Sequence, residues 1–113
     1  MGTFIHRAVI AEMPPNSADY EPWASRYREA AGKLAAFRES LPDDDWRALV
    51  IGPVTSVVNQ FRWVIFLPDG SKEWWDTSDA GDEYRTQFLA IFPDALVAEW
   101  GDGDESLKPA GES

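Results

Sequence analysis

Four carboxylates fall within eight positions, Asp76, Asp79, Asp82 and Glu83, and two tryptophans, Trp74 and Trp75, stand directly before them. Carboxylate oxygens are the hard ligands that Ca²⁺ or Mg²⁺ prefers. The run does not match the spaced Asp/Asn positions, fixed Gly and distal Glu of an EF-hand loop, and Asp102-Gly103-Asp104-Glu105 is incomplete in the same way. Paired carboxylates can also act as general acid and base, but nothing in the spacing sets two of them in a pocket with separated proton affinities. The chemistry that fits is recognition. Surplus negative charge steers association with a basic surface, and indoles are frequent anchors of buried contact. Asp76, Asp79, Asp82, Glu83, Trp74 and Trp75 are therefore the expected partner-binding residues. The plainer role of the same acids is to stabilise a helix N-terminus and to keep the chain soluble.

The rest of the inventory narrows the choice. The 113 residues contain no cysteine, so disulfides, thiolate metal sites and cysteine nucleophiles are excluded. His6 is the sole histidine, and no G-x-S-x-G elbow, P-loop or G-x-G-x-x-G run is present. No catalytic residue, metal or cofactor is expected. The formal charge is −10, and between Asp76 and Glu105 nine acids face one base, Arg85. Phosphate contacts need a basic footprint, so direct nucleic-acid binding is not expected. No run approaches the roughly 20 apolar residues of a membrane span, and Met1–Ala11 lacks the features of a signal peptide. The expected setting is cytoplasmic.

These side chains need elements to hold them. Residues 3–12 read as a strand, ended by Pro14 and Pro15. Trp23, Tyr27, Ala30, Leu34, Phe37 and Leu41 recur at intervals of four and three, which predicts an amphipathic helix from about Pro22 to Pro42. Residues 46–54 predict a second strand ending near Gly52-Pro53. Phe61–Leu67 alternates with apolar residues on both sides, the mark of a central strand. The Pro68-Asp69-Gly70-Ser71 turn should return the chain as a short strand over Lys72–Asp76. Trp63, Trp74 and Trp75 would then surround one hairpin, with Trp74 and Trp75 on opposite faces and one of them exposed. That exposed ring could be covered by Arg62 through a cation–π contact. Thr77, Ser78 and Asp79 are candidate N-caps for a helix burying Tyr84, Phe88, Ile91 and Phe92. Residues 95–100 read as the last strand, and 101–113 as a disordered acidic tail.

One domain over 1–100 follows, α+β, in the order β-α-β-β-(β)-α-β. Packing both helices on one face of an antiparallel sheet gives the split β-α-β, ferredoxin-like sandwich. Its other face must then meet water or a partner, and several residues that could point there are large and apolar. The stretch from Leu67 through Trp74-Trp75-Asp76 to Asp79, followed by an amphipathic helix, resembles small proteins encoded by phages of actinobacteria. That resemblance covers about residues 60–100 and carries over no functional residues. It implies a host bacterial cytoplasm and the binding or inhibition of a host protein with a basic surface. Two alternatives stand beside it. One is a homo-oligomeric scaffold that buries the open sheet face. The other is a small-molecule binder with a pocket at an oligomer interface, lined by Trp63, Trp75 and Arg62.

Overall fold

The computed structural model describes residues 5–15, 20–71 and 75–101. Seven elements follow in the order β1 (Ile5–Glu12), α1 (Glu21–Ser40), α2 (Asp44–Arg47), β2 (Val50–Thr55), β3 (Arg62–Phe66), α3 (Asp76–Ile91) and β4 (Leu96–Gly101). The strands form one sheet in the order β2-β3-β1-β4, antiparallel at every junction. β1 and β2 therefore run the same way, with β3 inserted between them. The fold is α+β, compatible with a two-layer sandwich.

Residues directly opposite in an antiparallel pair share a face, so the register assigns the two sides. Val9 sits opposite both Phe66 and Val97, Ala11 opposite Val64, and Val50 opposite Phe66. Val9, Ala11, Val50, Val64 and Phe66 are buried together with Leu34 and Phe37 of α1 and Phe88 of α3, so this is the helix-covered side. At its centre Phe37, Phe66 and Phe88 meet edge-on, each pair of ring centroids 5.8 or 5.9 Å apart. One ring comes from each of α1, β3 and α3. Edge-to-face pairs add about 0.5–1.5 kcal/mol each beyond their area.

Leu34, Phe37 and Leu41 of the predicted first-helix stripe are buried, and Tyr27 and Ala30 pack at its edge, whereas Trp23 remains 38% exposed at the free end. Phe88 and Phe92 are buried at the second helix and Tyr84 and Ile91 pack against them. The alternation of β3 also holds, and β3 is central.

Several boundaries differ from expectation. Trp46 and Arg47 do not open the second strand. They belong to α2, because the Asp43 carboxylate caps the Trp46 N–H at 3.0 Å. β2 does not end at Gly52-Pro53 but passes through it as a bulge, with the register shifting between Ile51 and Val54. Gly52 has φ +119°, and a Cβ there would lie 2.5 Å from the Trp63 carbonyl oxygen, so only glycine fits. Arg38 from α1 donates to the carbonyls of Val50 and Gly52 at 3.2 and 2.9 Å, satisfying acceptors at the bulge. Residues 56–61 form a loop, closed by the Ser56 N–H to the Phe61 carbonyl at 2.7 Å.

The return strand over Lys72–Asp76 is not formed at its described end, since Asp76 already begins α3; Lys72, Glu73 and Trp74 lie outside the described residues. Thr77, Ser78 and Asp79 are not N-caps. They sit inside the first turn of α3, whose N-cap position is Trp75 with no side-chain capping bond. The expected tail begins one residue late, because Gly101 belongs to β4, and residues 102–113 are outside the described set. No helix among the described residues is long and apolar enough to cross a membrane.

Phe88→Ala should cost about 3–5 kcal/mol, because it removes the ring shared by both neighbours of the trio. A urea titration followed by far-UV circular dichroism measures this, and a loss under about 1 kcal/mol would show that the core closes around the gap.

Candidate functional site

The expected acidic site is divided by one buried cation. Arg85 lies on the inward side of α3 and is 7% exposed. A guanidinium cannot shed its charge, so burial requires anionic partners. Its Nη2 donates to Asp82 Oδ1 at 2.5 Å, and its Nη1 stands 3.5 Å from Asp69 Oδ2. Arg7 of β1 reaches the same Asp82 oxygen at 3.6 Å and bonds Glu99 of β4 at 2.7 Å. A chain of alternating charge, Asp69–Arg85–Asp82–Arg7–Glu99, thus ties the Pro68–Ser71 turn, α3, β1 and β4 together.

Asp69 is the buried end of this chain, its side chain 11% exposed. Its Oδ1 accepts from the Ser71 N–H at 2.8 Å and from Ser71 Oγ at 2.5 Å, an Asx-type turn. Its Oδ2 accepts no hydrogen bond among the described residues and rests on the Arg85 charge. Gly81 makes this approach possible: a Cβ on it would overlap Asp69 Oδ2 and press on both terminal nitrogens of Arg85.

Of the residues expected to bind a partner, Asp82 is consequently paired with Arg85 and Arg7, although its side chain stays 56% exposed. Asp76, Asp79 and Glu83 are exposed along the first turns of α3. Trp75, 51% exposed, stands at the helix start. Trp74 lies outside the described residues. Among the described residues no three His, Cys, Asp or Glu side chains gather as metal ligands. Within one chain, Trp63, Trp75 and Arg62 do not line a common cavity among the described residues. Trp63 and Arg62 are adjacent on β3 and so point to opposite faces, and Arg62 lies over the Tyr27 ring at 5.5 Å rather than over an indole.

Trp75 has a different neighbour, which sequence spacing did not indicate. A cavity of about 400 Å³ opens between α2, the Pro68–Ser71 turn and the start of α3. It is lined by Trp46, Leu49 and Trp75, with Asp45 and Asp69 among its polar walls. Trp46 is held by its T-shaped contact with Tyr84, centroids 4.9 Å apart. A second cavity, about 450 Å³, lies between the end of β1, the start of α1 and the end of α3, where Arg26 covers the Trp23 ring.

The side of the sheet away from the helices carries Ile51 and Val54 from β2, Trp63 and Ile65 from β3, His6, Ala8 and Ile10 from β1, and Leu96, Ala98 and Trp100 from β4. Leu96 on the β4 edge is 65% exposed, and Trp63 on β3 and Ile51 and Val54 on the opposite edge are exposed as well. The Phe61 ring leans on Trp63 at 6.2 Å, and Val57 and Val58 continue the apolar surface at the tip of the β2–β3 loop. His6 lies against Trp100, centroids 5.7 Å apart. Glu12 is the one carboxylate on this face among the described residues, and it sits at the end of β1.

Comparison with family models, with curated proteins and with solved structures finds no match.

Gly81→Ala tests the buried turn with a clear sign. On helix propensity alone alanine gains about 1 kcal/mol over glycine. Here the added methyl group displaces Asp69, and a net loss of about 1–3 kcal/mol is expected in urea unfolding. The loss should largely disappear when the same substitution is made in an Asp69→Ala background.

Proposed function

We propose that this chain is a non-enzymatic interaction protein that pairs with a second copy of itself through the open face of its sheet. The observation that carries this is the uncovered apolar surface running from Leu96 through Ile10, Ile65 and Trp63 to Val54. Four strands about 4.8 Å apart and about six residues long at about 3.3 Å each give roughly 400 Å² in projection. Side-chain relief and the Val57–Val58 tip carry the accessible area toward the roughly 800 Å² per partner of a standard interface.

A second copy suits this face better than a charged partner does. Its middle holds no charged side chain, so it offers no electrostatic selection. The β2–β3 half bears Trp63, Ile51 and Val54, while the β1–β4 half dips where Ala8 and Ala98 stand opposite each other, between the Ile10–Leu96 and His6–Trp100 pairs. A two-fold axis would set the ridge of each copy against the low strip of the other. The acids of α3 stay on the far side of the sheet, near or beyond the screening length of about 8 Å at physiological salt. We also infer that the sandwich is the split β-α-β, ferredoxin-like arrangement. The order β2-β3-β1-β4 and the insertion of β3 between β1 and β2 support that assignment.

A second reading is favoured by the exposure of Asp76, Asp79, Glu83 and Trp75 on one helix start. In it, the free side of the molecule meets a basic host protein in a bacterial cytoplasm, the setting that phage origin implies. Steering by these acids would weaken with salt, whereas contact between two acidic copies would strengthen.

Sedimentation equilibrium across protein concentration should show a dimer that tightens from about 50 mM to about 500 mM salt. Trp63→Lys should leave far-UV circular dichroism unchanged and shift the equilibrium to the single-chain mass, since an exposed indole is the anchor type of such interfaces. A wild-type chain that sediments as a monomer throughout would overturn the pairing. For the second reading, Asp79→Lys with Glu83→Lys should weaken binding of an arginine-rich peptide by roughly tenfold at low salt, read by fluorescence anisotropy. An unchanged affinity would remove these acids from the contact.

A further inference from the structure

We propose that the cavity between α2, the Pro68–Ser71 turn and the start of α3 is a binding site for an organic cation, an alkylammonium or guanidinium group. It draws on no residue of the open sheet face and stands or falls apart from self-pairing. It shares with the acidic-face reading Trp75 and the sign of the ligand's charge, and none of Asp76, Asp79 and Glu83 lines the cavity.

Two indoles, Trp46 and Trp75, contribute to one opening of about 400 Å³, together with Leu49. The face of an indole is the negative end of its quadrupole and attracts a cation within about 6 Å. Two carboxylates, Asp45 and Asp69, border the same space. Asp45 is exposed at the mouth, whereas the carboxylate of buried Asp69 is already paired with Arg85, so the charge open to a ligand is that of Asp45. Aromatic walls with a carboxylate at the rim suit a weakly hydrated cation with an apolar body. A hydrated metal ion is a poor match, because no three acids converge among the described residues. An anion would meet the Asp43–Asp45 run beside α2.

The cage is also built on held elements. Trp46 is fixed from behind by the Tyr84 ring at 4.9 Å and from its backbone by the Asp43 cap at 3.0 Å. Asp69 is fixed by Ser71 and by Arg85 beneath Gly81. Trp75 stands half-exposed at the helix start. Such prepositioning lowers the ordering cost of capture.

The same chemistry can arrive as a free small molecule or as the end of a lysine or arginine side chain. The experiment separates the two on the full chain, by following the indole N–H signals in ¹H–¹⁵N correlation spectra. The free arm titrates choline against its neutral isostere 3,3-dimethyl-1-butanol; the side-chain arm titrates N-acetyl-arginine amide and N-acetyl-lysine amide against N-acetyl-norleucine amide. The expected result is saturable movement of the Trp46 and Trp75 signals with the cations, at least about tenfold tighter than with the neutral partners. Trp75→Leu keeps an apolar wall but removes a quadrupole, and should weaken cation binding by about tenfold. Asp45→Asn, at an exposed position, should weaken it several-fold and should do so less at high salt. Whichever arm binds tighter names the source. Equal binding of choline and its neutral isostere would make the cavity a plain apolar slot and overturn the proposal. So would Trp46 and Trp75 signals that stay fixed in every titration.

Discussion

Phe37, Phe66 and Phe88 meet at one point from α1, β3 and α3, and most of the architecture can be traced to that meeting. A four-stranded sheet has two faces and this chain has two long helices, both drawn to the side where the three rings touch. Phe92 extends the cluster at 5.0 Å from Phe88, and Leu34, Leu41, Val9 and Val64 close around it. Once both helices are spent on one face, nothing within the described residues covers the other. The apolar surface around Trp63 and Leu96 is a direct consequence, not a separate feature.

The charged end of the molecule is arranged by a comparable constraint on the polar side. Arg85 points inward from α3 into a buried position and draws its counter-charges with it. Asp69 and Asp82 come to Arg85, and Arg7 and Glu99 complete the chain across β1 and β4. Buried ion pairs are costly to desolvate and add little net stability when complete, yet losing one partner leaves an uncompensated charge. Their effect here is positional. The Pro68–Ser71 turn is held against α3, and the space between that turn, Trp46 and Trp75 keeps its shape.

The two surfaces differ in kind. The sheet face is broad, apolar and without charge in its centre, so it suits contact between like-charged copies of the chain. The α3 start is acidic, aromatic and concave, so it suits a positively charged group. At −10 formal charge, a contact that keeps carboxylates of two copies apart avoids their repulsion, and the acids of α3 lie on the helix side of the sheet.

Much of this was legible in the residues. The four-three spacing from Tyr27 to Leu41 specified α1 and its buried stripe, because helical periodicity is local. Alternation with apolar residues on both sides of β3 announced a central strand, and the surplus of large apolar side chains announced an uncovered face. Where the reading failed, a local signal was outweighed by one from farther away or by a competing cap. Trp46-Arg47 looked like strand until the Asp43 carboxylate closed a helical turn over them. Gly52-Pro53 looked like an end, yet Arg38 supplied the hydrogen bonds that let β2 continue. Asp82 is paired by Arg85 three positions on, a contact that helical spacing allows, and also by Arg7 of β1, which lies 75 positions away and could not be read from spacing. The sequence by itself determined composition, charge sign, the helix stripes and the alternation of the strands, all of which depend on near neighbours along the chain. Only the tertiary structure decided which acids remain exposed, which indoles share a cavity and which face stays bare, because those depend on contacts between residues that the chain separates widely.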